Sequence, residues 1–259
     1  MADWEIVVYI PSYNSEPQLP ELLNRFKKTE TPLKTMGAEF KSIIFVNDKS
    51  TDNTSSIIKQ SKNDMPYIQV IDKEKNEGPA GAIFDGMEAA SKEIKDPEKT
   101  ILIRMDSDLE HNPEDIPRII KPIIENSAKI VTGYVPFDSR SGHLVVWFNK
   151  QIGIMENIKY LDKKIPQFCP GFNAVRGDLY LELLPLLNEK RATFIEMHGK
   201  DMLTIDFIIL TIAHKLGNEI HYMRLSPIED KWIKKIPISK IASYFDYHRR
   251  TMDFLKKNP

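Results

Sequence analysis

The sequence predicts an α/β fold in which a central, mostly parallel sheet is flanked by helices. Short β-rich runs alternate with helix-like segments along the chain, which is typical of βαβ units. The strand-like runs are apolar without polar alternation, as expected for strands covered on both faces. These runs are "EIVVYI", "KSIIFVN", "YIQVID", "KTILIRMD" and "KIVTGY".

The alternation changes near residue 136, where the chain has a predicted helix from Leu144 to Leu161 and a proline-flanked loop. Two more helices are predicted in "GDLYLELLPLL" and "DMLTIDFIILTIAHKL", and a strand in "NEIHYMRL". No Gly- or Ser-rich linker separates the parts, so we expect one domain over residues 1–259. Its halves are 1–135 and 136–259, and the second ends in a basic tail from Lys231.

Composition narrows the classes of function. The 36 Lys and Arg nearly balance the 37 Asp and Glu, so no global field attracts nucleic acid. The single cysteine, Cys169, excludes an internal disulfide and fits a reducing compartment. The chain starts without a basic leader, and no window approaches the about 20 apolar residues of a membrane span. We therefore predict a cytoplasmic protein, with peripheral membrane contact of the basic tail as an open alternative.

Polar clusters follow three of the predicted strands. They are residues 11–14 ("PSYN"), residues 47–50 ("NDKS") and residues 106–108 ("DSD"). Open parallel sheets bind ligands beyond the carboxyl ends of their strands. The three clusters are therefore expected to converge on one edge of the sheet and form a ligand site.

Asp106 and Asp108 are candidate metal ligands, with Glu110 as a third. Hard carboxylate oxygens of this kind suit Mg²⁺ or Mn²⁺ bridging a diphosphate, with phosphate oxygens and water in the other positions. The alternative is a solvated acidic turn that caps the helix expected near Pro113. His111 is interpreted as a turn residue hydrogen-bonded to local backbone. Gly78, Gly81 and Gly86 favour close helix–sheet packing over a phosphate loop.

Two further carboxylates stand out by position. Asp48 comes directly after a strand, where a carboxylate can accept hydrogen bonds from a base N–H or a ribose hydroxyl. Asp206 lies within the apolar run "MLTIDFIILTIAHKL", an expensive place for a carboxylate unless it is paired or functional. Asp206 is the expected general base if the acceptor is a hydroxyl, and a positioning residue if the acceptor is already ionised.

A series of motifs, taken in order, resembles the inverting family 2 glycosyltransferases of GT-A fold, a nucleotide-diphospho-sugar transferase-like fold. Within that family the likeness is greatest to dolichol- or polyprenol-phosphate mannosyltransferases, because "DSDLEH" resembles their metal motif. Asp206 takes the place of the glutamate in their helix motif. The motifs are "IPSYNSEPQLPELL", "IIFVNDKSTDNT", "KNEGPAGAIFDGMEAA", "MDSDLEHNPEDI" and "GFNAVRGDLY".

The resemblance implies roles for individual residues. The first half would bind the nucleotide sugar and the second would face the acceptor. Asp106, Ser107, Asp108 and Glu110 would hold the metal and the diphosphate. The other implied donor-binding residues are Pro11 and Tyr13 in the base pocket, Val46 and Asp48 at base and ribose, and Arg140, Lys234 and Lys240 at phosphate groups.

The chain departs from the family pattern at several positions. Asn47 and Lys49 replace an aspartate and a glycine of a frequent Asp-Asp-Gly-Ser motif. Ser15 stands where a glutamate is frequent, and Glu16 follows it. In "KKIPISK", proline replaces the glycine of the segment that carries phosphate-binding residues in the prenyl-phosphate enzymes.

The predicted function is metal-dependent, inverting transfer of a hexose from a GDP- or UDP-sugar to a polyprenyl phosphate. The alternative acceptor is a hydroxyl of a soluble sugar or glycan, with Asp206 as general base. Two other classes of function are compatible with the sequence. A nucleotidyltransferase usually has a basic, glycine-rich loop after the first strand, which "IPSYNSE" lacks. A non-catalytic module would bind the nucleotide without turnover.

Overall fold

A seven-stranded sheet organises the part of the chain that the computed structural model describes, namely residues 3–134, 171–198 and 205–225. The strand order is β3-β2-β1-β4-β6-β5-β7, and β6 alone runs antiparallel to its two neighbours, β4 and β5. The strands are β1 (Trp4–Ser12), β2 (Ala38–Asn47), β3 (Ile68–Asp72), β4 (Thr100–Arg104), β5 (Ile130–Tyr134), β6 (Asn173–Arg176) and β7 (Ile220–Arg224).

Six α-helices of the described residues cover the two faces of this sheet. One face packs against α3, α5 and α6, and the other against α1, α2 and α4. A short 3₁₀ turn, Pro113–Asp115, leads into α4. The helices are α1 (Leu19–Thr35), α2 (Thr54–Ser61), α3 (Gly78–Lys92), α4 (Ile116–Ile124), α5 (Gly177–His198) and α6 (Ile205–Lys215).

The core explains why the strand-like runs lack polar alternation. In β1, Ile6 and Val8 enter the core under α1 and α4, whereas Val7 and Tyr9 enter the core under α3, α5 and α6. All four are buried, so both faces of β1 are covered. The prediction of a mostly parallel sheet flanked by helices is confirmed.

Strand β6 is the element that the sequence did not predict. It has four residues, with Asn173 and Arg176 at its ends and only Ala174 and Val175 between them. So short a run carries no periodic signal. Its antiparallel insertion joins the second half of the chain to the sheet of the first. The helix predicted from Leu144 to Leu161 and the basic tail lie outside the described residues.

Close packing of α3 on the sheet depends on Gly86. A Cβ added there would lie 2.9 Å from Tyr9 Cδ2 and 3.3 Å from Val46 Cγ2. These atoms belong to buried side chains of β1 and β2, which have no room to withdraw. The packing interpretation of this glycine is confirmed.

We expect Gly86→Ala to destabilise the protein. An exposed helical Gly→Ala change stabilises a helix by up to about 1 kcal/mol, whereas overpacking here is expected to cost about 1–3 kcal/mol. Urea unfolding monitored by circular dichroism measures the difference. Glu88→Ala, at an exposed position of the same helix, is the control and should change stability by no more than about 0.5 kcal/mol. A gain of stability in Gly86→Ala would contradict the tight contact.

Candidate active site

The loops that follow β1, β2 and β4 meet at one edge of the sheet. The hydroxyl groups of Ser15 and Ser107 lie 2.8 Å apart, which joins the loop after β1 to the loop after β4. The backbone N–H of Ser15 donates to Thr54 Oγ1 at 2.8 Å, which joins it to the start of α2. The backbone N–H of Asn14 donates to Ser50 Oγ at 3.0 Å, which joins the loop after β1 to the loop after β2. The predicted convergence of the three polar clusters is therefore confirmed.

Carboxylates hold the first two of these loops together. Glu16 accepts hydrogen bonds from the backbone and side-chain amides of Asn53, both at 2.9 Å. Asp52 accepts from the backbone N–H of Glu16 at 3.1 Å and from the backbone N–H of Thr54 at 3.0 Å. Glu16 therefore ties the loop after β1 to the N-terminus of α2.

Asp48 lies buried directly after β2 and caps α3. Its Oδ1 accepts from the backbone N–H of Glu77 at 2.9 Å, and its Oδ2 accepts from that of Gly78 at 2.7 Å. A helix N-terminus attracts anions, and here the carboxylate of the chain itself occupies it. Next to Asp48, Lys49 has a φ of +62°, which is the left-handed backbone conformation that glycine adopts most easily. The family motif frequently has a glycine at this position.

The buried side chain of Lys73 forms ion pairs around the N-terminus of α3. Its ammonium lies 2.7 Å from Glu77 and 3.9 Å from Asp48, and it also pairs with Asp85. Arg191 of α5 pairs with the other oxygen of Asp85. Charge pairs thus join the loop after β3 to α3, and α3 to α5.

The remaining donor-binding predictions on this side of the site fall along β1 and β2. Pro11 is half-buried near the end of β1, and Tyr13 is 52% exposed in the loop that follows. Val46 is fully buried in β2 against Gly86. Tyr13 is therefore the one with an open aromatic face, and the contacts of all three with a nucleotide stay predictions.

The acidic motif forms a tight turn after β4. Asp106 is only partly buried and receives a two-point ion pair from Arg104, with Nη2–Oδ1 at 2.7 Å and Nη1–Oδ2 at 3.3 Å. Asp108 accepts from the backbone N–H of Glu110 at 2.9 Å, across Leu109, which has a φ of +66°. The acidic pair thus turns the chain at the edge of the sheet.

The helix-capping interpretation of the acidic pair is wrong, because Asn112 caps the 3₁₀ turn by accepting from the backbone N–H of Glu114 at 3.1 Å. His111 is buried, and its Nδ1 lies 3.5 Å from the backbone nitrogen of Asp106. This contact agrees with the interpretation of His111 as a turn residue.

Gly171 packs directly against this turn. It has a φ of +53°, and a Cβ there would lie 2.6 Å from Arg104 Nη1, 2.6 Å from His111 Cε1 and 2.7 Å from Asp106 Oδ2. Both the backbone conformation and the space therefore require glycine. The "GFNAVRGDLY" motif thus supplies backbone that closes over the acidic turn.

Asp206 lies in the first turn of α6 and contacts Arg104 and Asn173 of the sheet. It is 3% exposed, its Oδ2 lies 3.1 Å from Arg104 Nη1, and its Oδ1 accepts from Asn173 Nδ2 at 2.7 Å. Burial raises the pKa of Asp206 to about 6, and the negative charge of Asp106 adds to that rise, whereas Arg104 and Asn173 oppose it. A carboxylate with a pKa near neutrality is suited to accept a proton.

Arg104 and Asn173 are the site residues that the sequence reasoning missed. They are partners in the β4–β6 register, so both side chains lie on one face of the sheet. Asn173 lies within the motif "GFNAVRGDLY" and Arg104 directly precedes "MDSDLEHNPEDI", but neither residue had a predicted role. The available signal was an arginine at the end of the apolar strand "TILIR", where a buried charge needs partners.

The predicted metal ligands Asp106, Asp108 and Glu110 all lie in the acidic turn after β4. Among residues 3–134, 171–198 and 205–225, no three His, Cys, Asp or Glu side chains form a cluster able to hold an ion. Mg²⁺ is commonly bound by one or two carboxylates together with substrate phosphates. Asp106 and Asp108 fit that mode, in which a diphosphate supplies the other ligands, and the metal stays a prediction.

Three predicted donor-binding residues, Arg140, Lys234 and Lys240, lie outside the described part of the chain, as does Cys169. In the part that is described, no helix is both long and apolar enough to cross a membrane. Peripheral membrane contact by the tail stays a prediction.

Comparison with known structures supports the fold. Mannosyl-3-phosphoglycerate synthase from Rubrobacter xylanophilus is similar with a TM-score of 0.65 and 12% identity, over 98% of this chain and 75% of that one. Glucosyl-3-phosphoglycerate synthase from Mycobacterium tuberculosis in complex with phosphoglyceric acid is similar with a TM-score of 0.55 and 14% identity, over 96% and 80%. Its complex with uridine diphosphate gives 0.53 and 16%, over 96% and 77%.

The fold is that of the GT-A glycosyltransferases, a class that acts on nucleotide sugars. The family model for glycosyl transferase family 2 matches residues 7–184, so the chain belongs to that family. The predicted fold class and enzyme class are confirmed. The finer likeness to dolichol- or polyprenol-phosphate mannosyltransferases stays a prediction.

The raised pKa of Asp206 predicts a pH-dependent loss of stability. The folded protein retains this proton where the unfolded chain has lost it. The contribution is complete below the ordinary pKa of 3.8 and disappears as the pH rises through about 6. Relative to Asp206→Asn, the wild type should lose up to about 3 kcal/mol over that window. Urea unfolding of both proteins at a series of pH values measures it, and a constant difference would contradict the raised pKa.

Proposed function

We propose that the protein transfers a hexose from a nucleotide sugar to an acceptor hydroxyl, with inversion at the anomeric carbon and Asp206 as general base. The observation that carries this proposal is the environment of Asp206. It is buried, its pKa is raised toward neutrality, and one guanidinium connects it to Asp106. The donor would be a GDP- or UDP-hexose.

The donor side of the proposal uses the edge of the sheet. The diphosphate would lie at Asp106, Ser107, Asp108 and Glu110, and the base near Tyr13 and the ends of β1 and β2. A bound Mg²⁺ or Mn²⁺ would stabilise the charge that develops on the leaving diphosphate. The hydrogen bond between the Ser15 and Ser107 hydroxyl groups would fix the position of the base-binding loop after β1 relative to the diphosphate-binding loop after β4.

The acceptor side of the proposal uses Asp206. Its carboxylate would take the hydroxyl proton as the acceptor oxygen bonds to the anomeric carbon. The bond from that carbon to the diphosphate oxygen breaks on the opposite face, so the configuration inverts. Asn173 contacts one oxygen of the Asp206 carboxylate and Arg104 contacts the other. These two contacts would orient Asp206 for the transfer. Structural similarity to phosphoglycerate synthases makes 3-phosphoglycerate a reasonable acceptor to include in the tests.

A polyprenyl phosphate is the second candidate acceptor. Two sequence observations favour it: the likeness of "DSDLEH" to the prenyl-phosphate enzymes, and the basic tail that contains Lys234 and Lys240. A phosphate acceptor is already ionised and needs no general base. Asp206 would then position the substrate, and the tail would contact the membrane from the predicted cytoplasmic side.

Release of nucleoside diphosphate tests the proposal. Purified protein is incubated with GDP- or UDP-hexoses and Mn²⁺, together with 3-phosphoglycerate, free sugars or a polyprenyl phosphate. We expect diphosphate release that depends on a hydroxyl acceptor. Release of pyrophosphate in a parallel incubation with GTP or UTP and a hexose 1-phosphate would indicate nucleotidyl transfer, and release of neither product would indicate a binding module.

Asp206→Asn separates the two acceptor classes. With a hydroxyl acceptor, loss of the base should lower kcat by about 10²–10⁴-fold. With a phosphate acceptor, the same change should have a much smaller effect. Asp178→Asn is the control, because Asp178 also pairs with an arginine but contacts none of the site residues described above. Equal effects of the two substitutions would contradict the general-base role.

A further inference from the structure

Arg104 forms ion pairs with both Asp106 and Asp206. We propose that Arg104 is a positioning residue for the transfer, whose guanidinium sets the distance and orientation of Asp206 relative to the diphosphate-binding turn. The inference rests on the proposed function, because it concerns the same reaction. Arg104 itself would contact neither the sugar nor the acceptor.

The geometry of the guanidinium supports this role. Nη1 lies 3.3 Å from Asp106 Oδ2 and 3.1 Å from Asp206 Oδ2, while Nη2 lies 2.7 Å from Asp106 Oδ1. Because one nitrogen contacts both carboxylates, the position of one restricts the position of the other. A guanidinium is planar and rigid, so it fixes directions as well as charge.

Arg104 is itself held firmly. It is the last residue of β4, it is 6% exposed, and it pairs with Tyr9 of β1 and Asn173 of β6 in the sheet register. The backbone of Gly171 packs against Nη1 so closely that a Cβ would not fit. The guanidinium therefore has little freedom to follow a displaced carboxylate, as a positioning role requires.

Arg176 of β6 provides a matched comparison. Like Arg104, it forms a two-point pair with an aspartate two residues later, with Nε–Oδ1 and Nη2–Oδ2 of Asp178 both at 2.8 Å. Its Nη1 also donates to Asn126 Oδ1 at 3.3 Å, so the contacts of its guanidinium lie outside the cluster of Asp106 and Asp206. Substituting Arg176 therefore reproduces the loss of an Arg–Asp pair without touching the site.

The test compares Arg104→Lys with Arg176→Lys in the full-length protein. Lysine keeps the positive charge but lacks the two-point fork. We expect Arg104→Lys to unfold in one transition above the assay temperature, and its kcat is measured at saturating donor, so that a change in the nucleoside diphosphate Kd does not enter the comparison. Its kcat for hexose transfer should fall by about 10–100-fold, the size of effect that misplaced catalytic groups produce. Arg176→Lys should retain the wild-type kcat.

A second pair of variants identifies the carboxylate through which Arg104 acts. In an Asp206→Asn background, Arg104→Lys should lower kcat only slightly further, because the group that it positions is already gone. An undiminished effect in that background would overturn the inference, as would wild-type kcat in Arg104→Lys alone. If the wild type releases no nucleoside diphosphate with any donor, the proposed function itself fails, before any variant is compared.

Discussion

The site depends on a buried guanidinium between two carboxylates. Arg104 and Asp206 are almost completely removed from water, and Asp106 is only partly so. Burying charges is expensive unless each charge is paired and hydrogen-bonded, and removal of one partner typically costs about 3–5 kcal/mol. Asn173, which donates to Asp206, completes the pairing on the helical side. Such a cluster is therefore tolerable only if the sheet and α6 meet in one geometry.

The topology of the sheet produces that geometry. Strand β6 enters antiparallel between β4 and β5, which places Asn173 opposite Arg104 and brings Gly171 against the acidic turn. The start of α6 then places Asp206 over the same face. The amino-terminal half thus supplies the acidic turn, where the diphosphate is proposed to bind, and the carboxy-terminal half supplies the proposed base. The sheet interleaves the two halves, because β6 lies between β4 and β5 and β7 lies beside β5.

The sequence predicted the elements with strong periodic or apolar signals, and it predicted where their polar ends would meet. The ends of β1, β2 and β4 could be located because buried parallel strands are apolar and their last residues are not. Asp206 could be singled out because a carboxylate in an apolar helix is unusual. Asn173 and Gly171 could not, since their roles depend on β6, a four-residue strand without a periodic pattern. Arg104 was visible as a charge, but its partner Asp206 belongs to a distant part of the chain.

Asp48 illustrates a different limit of sequence reasoning. Its position after β2 suggests a nucleotide contact, and the structure shows both oxygens accepting from the N-terminus of α3. A carboxylate oxygen has a second lone pair, so capping and ligand binding are compatible. The capping contact depends on how α3 returns to the sheet, which Gly78 and Gly86 make possible through a positive φ and a close approach.

The measurement that tests the central claim most directly is thermal unfolding of wild type and Asp106→Ala with GDP or UDP, each with and without Mn²⁺. Ligand that binds the folded state raises the melting temperature. The account predicts a metal-dependent rise with one of the two nucleotides in the wild type and none in Asp106→Ala. Equal rises in both proteins would place the nucleotide elsewhere, and no rise in either would contradict a nucleotide site at the acidic turn.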